Sequence, residues 1–124
     1  MFNNTGIKSR TAGAPVQILF NVHNQMSVSI IVDKTAGVEE NGRTIVKAGT
    51  PLGGDLANRK TAFTSDGDTV GVLLHDVDVT DGPNNGTLLI WGFVNLDRID
   101  ATTAAKITDA VKTALKGAIW FLKD

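Results

Sequence analysis

Apolar and polar positions alternate most cleanly over Met26-Ser-Val-Ser-Ile-Ile-Val32. Met26, Val28, Ile30 and Val32 fall on one side and Ser27 and Ser29 on the other, which predicts a half-buried strand. Pro15 to Val22 predicts a strand before it, across the polar break His23-Asn24-Gln25. Asn41-Gly42 is a two-residue turn signal and predicts a hairpin between Val38-Glu39-Glu40 and Arg43-Thr-Ile-Val-Lys47. Ala48 to Asp55 reads as a tight, Gly-punctuated loop, and residues 56–69 as irregular chain anchored by Ala62 and Phe63.

The segment Gly71-Val-Leu-Leu-His-Asp-Val-Asp-Val-Thr80 reads as one long strand. A loop, Asp81 to Gly86, joins it to Thr87-Leu-Leu-Ile-Trp-Gly-Phe-Val94, so the pair predicts a central hairpin. The second strand is apolar on both sides and is expected to be covered on both. Gly92 between Trp91 and Phe93 points to a bulge or a close backbone approach. Trp91, Phe93, Trp120 and Phe121 sit in strongly apolar stretches and are expected in the core. Asp100 or Thr102 can cap a helix whose apolar positions Ala104, Ile107, Val111, Ala114, Leu115, Ala118 and Leu122 recur at three- and four-residue spacing. That pattern predicts one C-terminal helix over about 101–122, with Gly117 as a weak point and an end that needs burial in the domain or against a partner.

These elements give an α+β class: a small β-rich, sandwich- or barrel-like, mainly antiparallel domain over 15–124, closed by the helix. Residues 1–14 are polar, Gly-rich and aperiodic, with Phe2 and Ile7 as the large apolar side chains, and read as a flexible N-terminal arm. A chain of 124 residues suits one domain and can support a core without disulfide or metal. With 20% charged residues and a net charge of −1, the composition carries no general attraction to nucleic acid or to an anionic membrane. The N-terminus does not read as a signal peptide, so folding in a cytosol is expected.

Candidate chemistry gathers at His75, Asp76, Asp78 and Asp81. In an extended strand Asp76 and Asp78 share a side and His75 points the other way, so imidazole and carboxylate do not converge on one ion or form a base and its orienting acid. Asp76, Asp78 and Asp81 could contact a hard cation, but their spacing does not match an EF-hand loop. Ala48 to Asp55 lacks the lysine of a phosphate-binding loop, and no G-x-S-x-G is present. The scattered cations Lys8, Arg10, Arg43, Arg59 and Lys60 lack interleaved aromatic residues. No catalytic residue, cofactor or metal ligand is assigned from these patterns, and a binding or structural module is expected over an enzyme.

Ala48-Gly-Thr-Pro-Leu-Gly-Gly-Asp55, then Gly71 to Thr80, then Gly92-Phe-Val-Asn95 and the closing helix together resemble the small head decoration proteins of tailed bacteriophages, over roughly residues 40–122. The resemblance implies a non-enzymatic viral structural protein, made in the host bacterial cytoplasm and carried on the virion. It implies attachment to the outer surface of a capsid, where the protein cements neighbouring copies of the major capsid protein, as a trimer or a monomer, with no nucleic-acid or membrane partner. It also implies an N-terminal arm that contacts the shell, which here places Phe2, Asn3, Asn4, Ile7, Lys8 and Arg10 at the partner. Alternative readings are a phage tail or baseplate component, a host-surface binding module, and a metal-dependent hydrolase using Asp76, Asp78 and His75.

Overall fold

The computed structural model describes residues 17–65 and 68–123. Their element order is β1 (Met26–Val32), β2 (Val38–Glu40), β3 (Arg43–Val46), β4 (Pro51–Leu52), β5 (Gly71–Leu73), β6 (Val77–Asp78), β7 (Asn84–Asn95), α1 (Ala101–Ala104), α2 (Asp109–Ala114) and β8 (Ile119–Leu122), with 3-10 turns at Lys34–Ala36 and Leu96–Arg98. One sheet runs β1-β7-β5-β4 with β8 also on β7, and a second runs β2-β3-β6. All strand pairs are antiparallel except β7 with β8. This is the expected small, β-rich α+β domain.

Alternation explains the layering. Consecutive residues of a strand point to opposite sides, and here they enter different cores. Val72 and Leu89 join Leu74, Ile99, Ile107 and Leu115 under the helical segment. Leu73 and Leu88 join Val46, Val77, Val79, Leu52 and Phe63 against the smaller sheet. The β5–β7 ladder, with Val72 opposite Leu89 and Leu73 opposite Leu88, is therefore the wall between two cores. Gly71 lets that wall close: a Cβ there would meet the Leu89 carbonyl oxygen and come within 2.8 Å of Leu88 Cγ.

The Asn41-Gly42 hairpin forms as expected, with both residues at positive φ (53° and 80°) between β2 and β3. Phe63 anchors the irregular segment: it is fully buried, its N–H donates to Ile31 O at 2.7 Å and its carbonyl accepts from Asp33 N at 2.8 Å. Residues 17–22 form a single bridge, Leu19 with Val94, instead of the full strand expected over 15–22, whose first two residues lie outside the described ones.

Two further elements differ from expectation. The strand expected over 70–80 breaks at Leu74–Asp76 into β5 and β6, which belong to different sheets. The side-chain alternation survives the break: Val72 and Leu74 lie in the first core, Leu73, Val77 and Val79 in the second, and what changes at the exposed bend is the backbone pairing, from β7 for β5 to β3 for β6.

The single helix over 101–122 is replaced by α1, α2 and β8. Two caps compete within the apolar pattern. Asp100 accepts from Thr102 N at 3.2 Å and Thr103 N at 3.4 Å, and Thr108 Oγ1 starts a second helix by accepting from Val111 N at 3.4 Å. Gly117 then takes φ +85°, a left-handed conformation that ends the helical run. Ile119–Leu122 leaves as a strand because the far half of β7 offers backbone partners and the helix core offers room for Ile119.

Phe63→Ala should lose about 3–5 kcal/mol of stability, because it empties the second core where the loop and β1 meet. Gly71→Ala should lose about 1–3 kcal/mol by forcing β5 off β7. Urea denaturation midpoints against the unsubstituted chain measure both.

Candidate functional site

The acidic segment is built into the backbone around it. Asp76 Oδ1 accepts from Ala48 N at 2.7 Å, which fixes the chain between β3 and β4. Asp78 Oδ1 accepts from Thr80 Oγ1 at 2.6 Å and Thr80 N at 2.9 Å, while Thr80 Oγ1 accepts from Thr44 N at 2.9 Å. Asp78 Oδ2 also pairs with Arg43 Nε across the β3–β6 ladder. The Thr80 hydroxyl and N–H, then Arg43, hold the Asp78 carboxyl well below the usual range, at about 2. Asp78 in turn raises the Arg43 guanidinium above its ordinary value. His75 is exposed at the bend. The structure thus sends the two carboxylates to separate backbone tasks, and among the described residues no three His, Asp or Glu side chains are grouped to hold an ion.

A different surface emerges at the far half of β7. Between Ser27 and Met26 the β1–β7 register jumps from Leu89 to Trp91, so Ile90 is an extra residue in a bulge, and Gly92 beside it takes φ +154°. The bulge shifts the side-chain alternation by one. Beyond it Gly92 and Val94 face the helix core, and Trp91 and Phe93 face the other way. β8 pairs in parallel with this half, Phe93 opposite Trp120 and Asn95 opposite Leu122. Residues 18–20 flank it from the opposite side: Asn95 N donates to Ile18 O and Phe20 N to Phe93 O, both at 2.8 Å.

The result is an aromatic face. Phe93 and Trp120 stack with centroids 5.2 Å apart, and Trp91 meets both edge-on at 6.0 and 6.2 Å. Met26, opposite Trp91, and Phe20, beside Phe93, form its rim, with Leu122 at its end. Trp91 and Trp120 remain 40% exposed, Phe20 48% and Met26 58%. The expectation that both tryptophans are core residues is therefore corrected. Their apolar neighbours in sequence do go inside, but the one-residue bulge turns the rings outward, and the second core ends before reaching them. Sequence reading found the bulge signal at Gly92 and missed its effect on the faces on either side.

A second, open cleft lies between β1 and residues 56–60, lined by Ser29, Ile31, Leu56, Arg59 and Asn85. Arg59 donates there to Ser29 O at 2.9 Å and blunts the β1 edge. The expected partner-contact residues Phe2, Asn3, Asn4, Ile7, Lys8 and Arg10 lie outside the described residues. Compared with known proteins, the chain matches no family model and no curated protein.

For Asp78 the folded carboxyl near 2 lies below the ordinary value of 3.8, so its ionised form contributes stability that is present above about pH 4 and lost as pH falls through about 2. Asp78→Asn should destabilise the domain at neutral pH, and the gap between the two proteins should close over that window. Thermal unfolding midpoints recorded from pH 6 to pH 2 test the sign.

Proposed function

We propose that this chain is a structural protein of a phage virion that binds the outer surface of the head and holds neighbouring major capsid protein subunits together. The observation that carries the reading is the aromatic face: Trp91, Phe93 and Trp120 packed on one another, rimmed by Phe20 and Met26 and left open to solvent. Contiguous exposed apolar surface of this kind marks protein–protein contact. Tryptophan is the residue type most enriched among those that dominate binding energy. The motif order over residues 40–122 supplies the partner class, since it resembles head decoration proteins.

The physics suits a cement. A rigid two-sheet body presents pre-ordered rings, so little side-chain freedom is lost on docking. A ligand of the assembled shell stabilises it by mass action even when each contact is modest. Residues 1–14, which the resemblance marks as a shell-contacting arm, can add contacts to the same partner.

Heads assembled from the major capsid protein of the same genome should co-sediment the protein and melt at a higher temperature with it. Trp120→Ala should weaken binding by about 2 kcal/mol, on the order of thirtyfold in Kd. Absence of co-sedimentation together with an unchanged melting temperature rejects the proposal, and binding to purified tails in place of heads reassigns the protein to the tail.

A further inference from the structure

We infer that the free edge of β1 binds an extended, acidic segment of a partner protein as an added strand. The edge is defined by where its backbone groups point. Val28 pairs with Leu88 and Ile30 with Gly86 inside the sheet, while the main-chain groups of Ser29 and Ile31 turn away from β7. Their carbonyls show the direction: Ile31 O accepts from Phe63 N at 2.7 Å and Ser29 O from Arg59 Nη1 at 2.9 Å, and neither donor belongs to β7. Among the described residues the N–H groups of Ser29 and Ile31 have no acceptor. Phe63 closes the edge from Ile31 O onward through its bridge to Val32. What stays open is the run from Ser27 to Ile31, about 17 Å at the strand rise, which accommodates a partner strand of about five residues.

The cleft beside that edge, about 540 Å³ and walled by residues 56–60, gives such a strand room. Leu56 is exposed there and Ile31 half-buried, so alternate side chains of an added strand meet apolar surface.

Charge selects the occupant. Arg59 and Lys60 line the cleft, no Asp or Glu does, and among the described residues neither cation pairs with a carboxylate. A second copy is a poor occupant: β1 edges paired across a two-fold axis set these cations against their own counterparts. In the free protein Arg59 guards Ser29 O against casual strand addition. A strand that carries carboxylates lifts the guard. Its N–H takes Ser29 O, and the guanidinium turns to the carboxylate in a charge-assisted bond. An uncharged strand must displace Arg59 without that compensation, so the same side chain excludes one class of strand and admits the other.

The probes are an acetylated, amidated heptapeptide of alternating valine and glutamate, its glutamine and lysine counterparts, and two glutamate peptides N-methylated on one or the other alternate set of residues. Each is titrated calorimetrically into the full chain, and amide hydrogen exchange is followed by NMR. The glutamate peptide should bind and slow exchange at Ser29 and Ile31 about tenfold or more. The glutamine peptide should bind about tenfold more weakly, and the lysine peptide more weakly still. One of the N-methylated peptides should also lose about tenfold, because its edge-facing donors are gone. Arg59→Glu with Lys60→Glu, both at exposed positions, should keep the far-ultraviolet circular dichroism and reverse the order, favouring the lysine peptide. Absence of binding up to about 1 mM overturns the inference. So does equal binding of both N-methylated peptides, which marks an anion site without strand pairing, and so does protection that falls elsewhere in the chain. Protection of Ser29 and Ile31 that rises with protein concentration in the absence of peptide also overturns it, because a second copy is then the occupant. The test uses no capsid, so its outcome is independent of the head-binding proposal.

Discussion

Strand β7 has to serve two environments with one backbone. Over Leu88 and Leu89 both of its sides are dry, each covered by a different core. Over Trp91 to Asn95 one side lies on the helix core and the other meets solvent. The bulge at Ile90 separates these halves. Without the extra residue, Trp91 and Phe93 would fall on the side of Leu89, directed at Ile119 and Leu115, where two large rings would overfill a packed interior. The bulge instead sends the small Gly92 and the medium Val94 inward, and the helix core closes over them.

That constraint explains which parts of the fold could be read from residues alone. The alternation in β1, the positive-φ pair Asn41-Gly42 and the Phe63 anchor each depend on local pattern or turn chemistry, and each is present, whereas β7 is covered on both sides only around Leu88 and Leu89. The split of 70–80 and the end of the helical run were hidden for the opposite reason. Val72 to Val79 keeps one alternating pattern throughout, and only the change of backbone partner from β7 to β3 marks the break. Ile119 to Leu122 keeps helical spacing on paper, and only the open backbone of β7 recruits it as a strand. Tertiary pairing overrode a pattern that was ambiguous in isolation.

The candidate surface was concealed by the same mechanism. Trp91 and Trp120 are 29 residues apart in sequence and become neighbours only through the β7–β8 register. By contrast, the acidic segment advertised itself in sequence and proved to be scaffolding, with Asp76 on the Ala48 amide and Asp78 on Thr80 and Arg43. Polar side chains near a bend were spent on satisfying main-chain donors, a common fate for Asp in turns.

The bridge between Leu19 and Val94 bears on the time course of folding. It joins positions separated by 75 residues (94 − 19), while the Asn41-Gly42 hairpin closes two residues. Loop-closure entropy grows with the logarithm of separation, and pairings dominated by distant partners place domains in the millisecond-to-second range. The hairpin can therefore nucleate early, while the N-terminal edge zips onto β7 near the end. Until that late step the outward-turned rings stand beside an unpaired strand edge, and the kinetic window most open to aggregation is the one just before the last bridge forms.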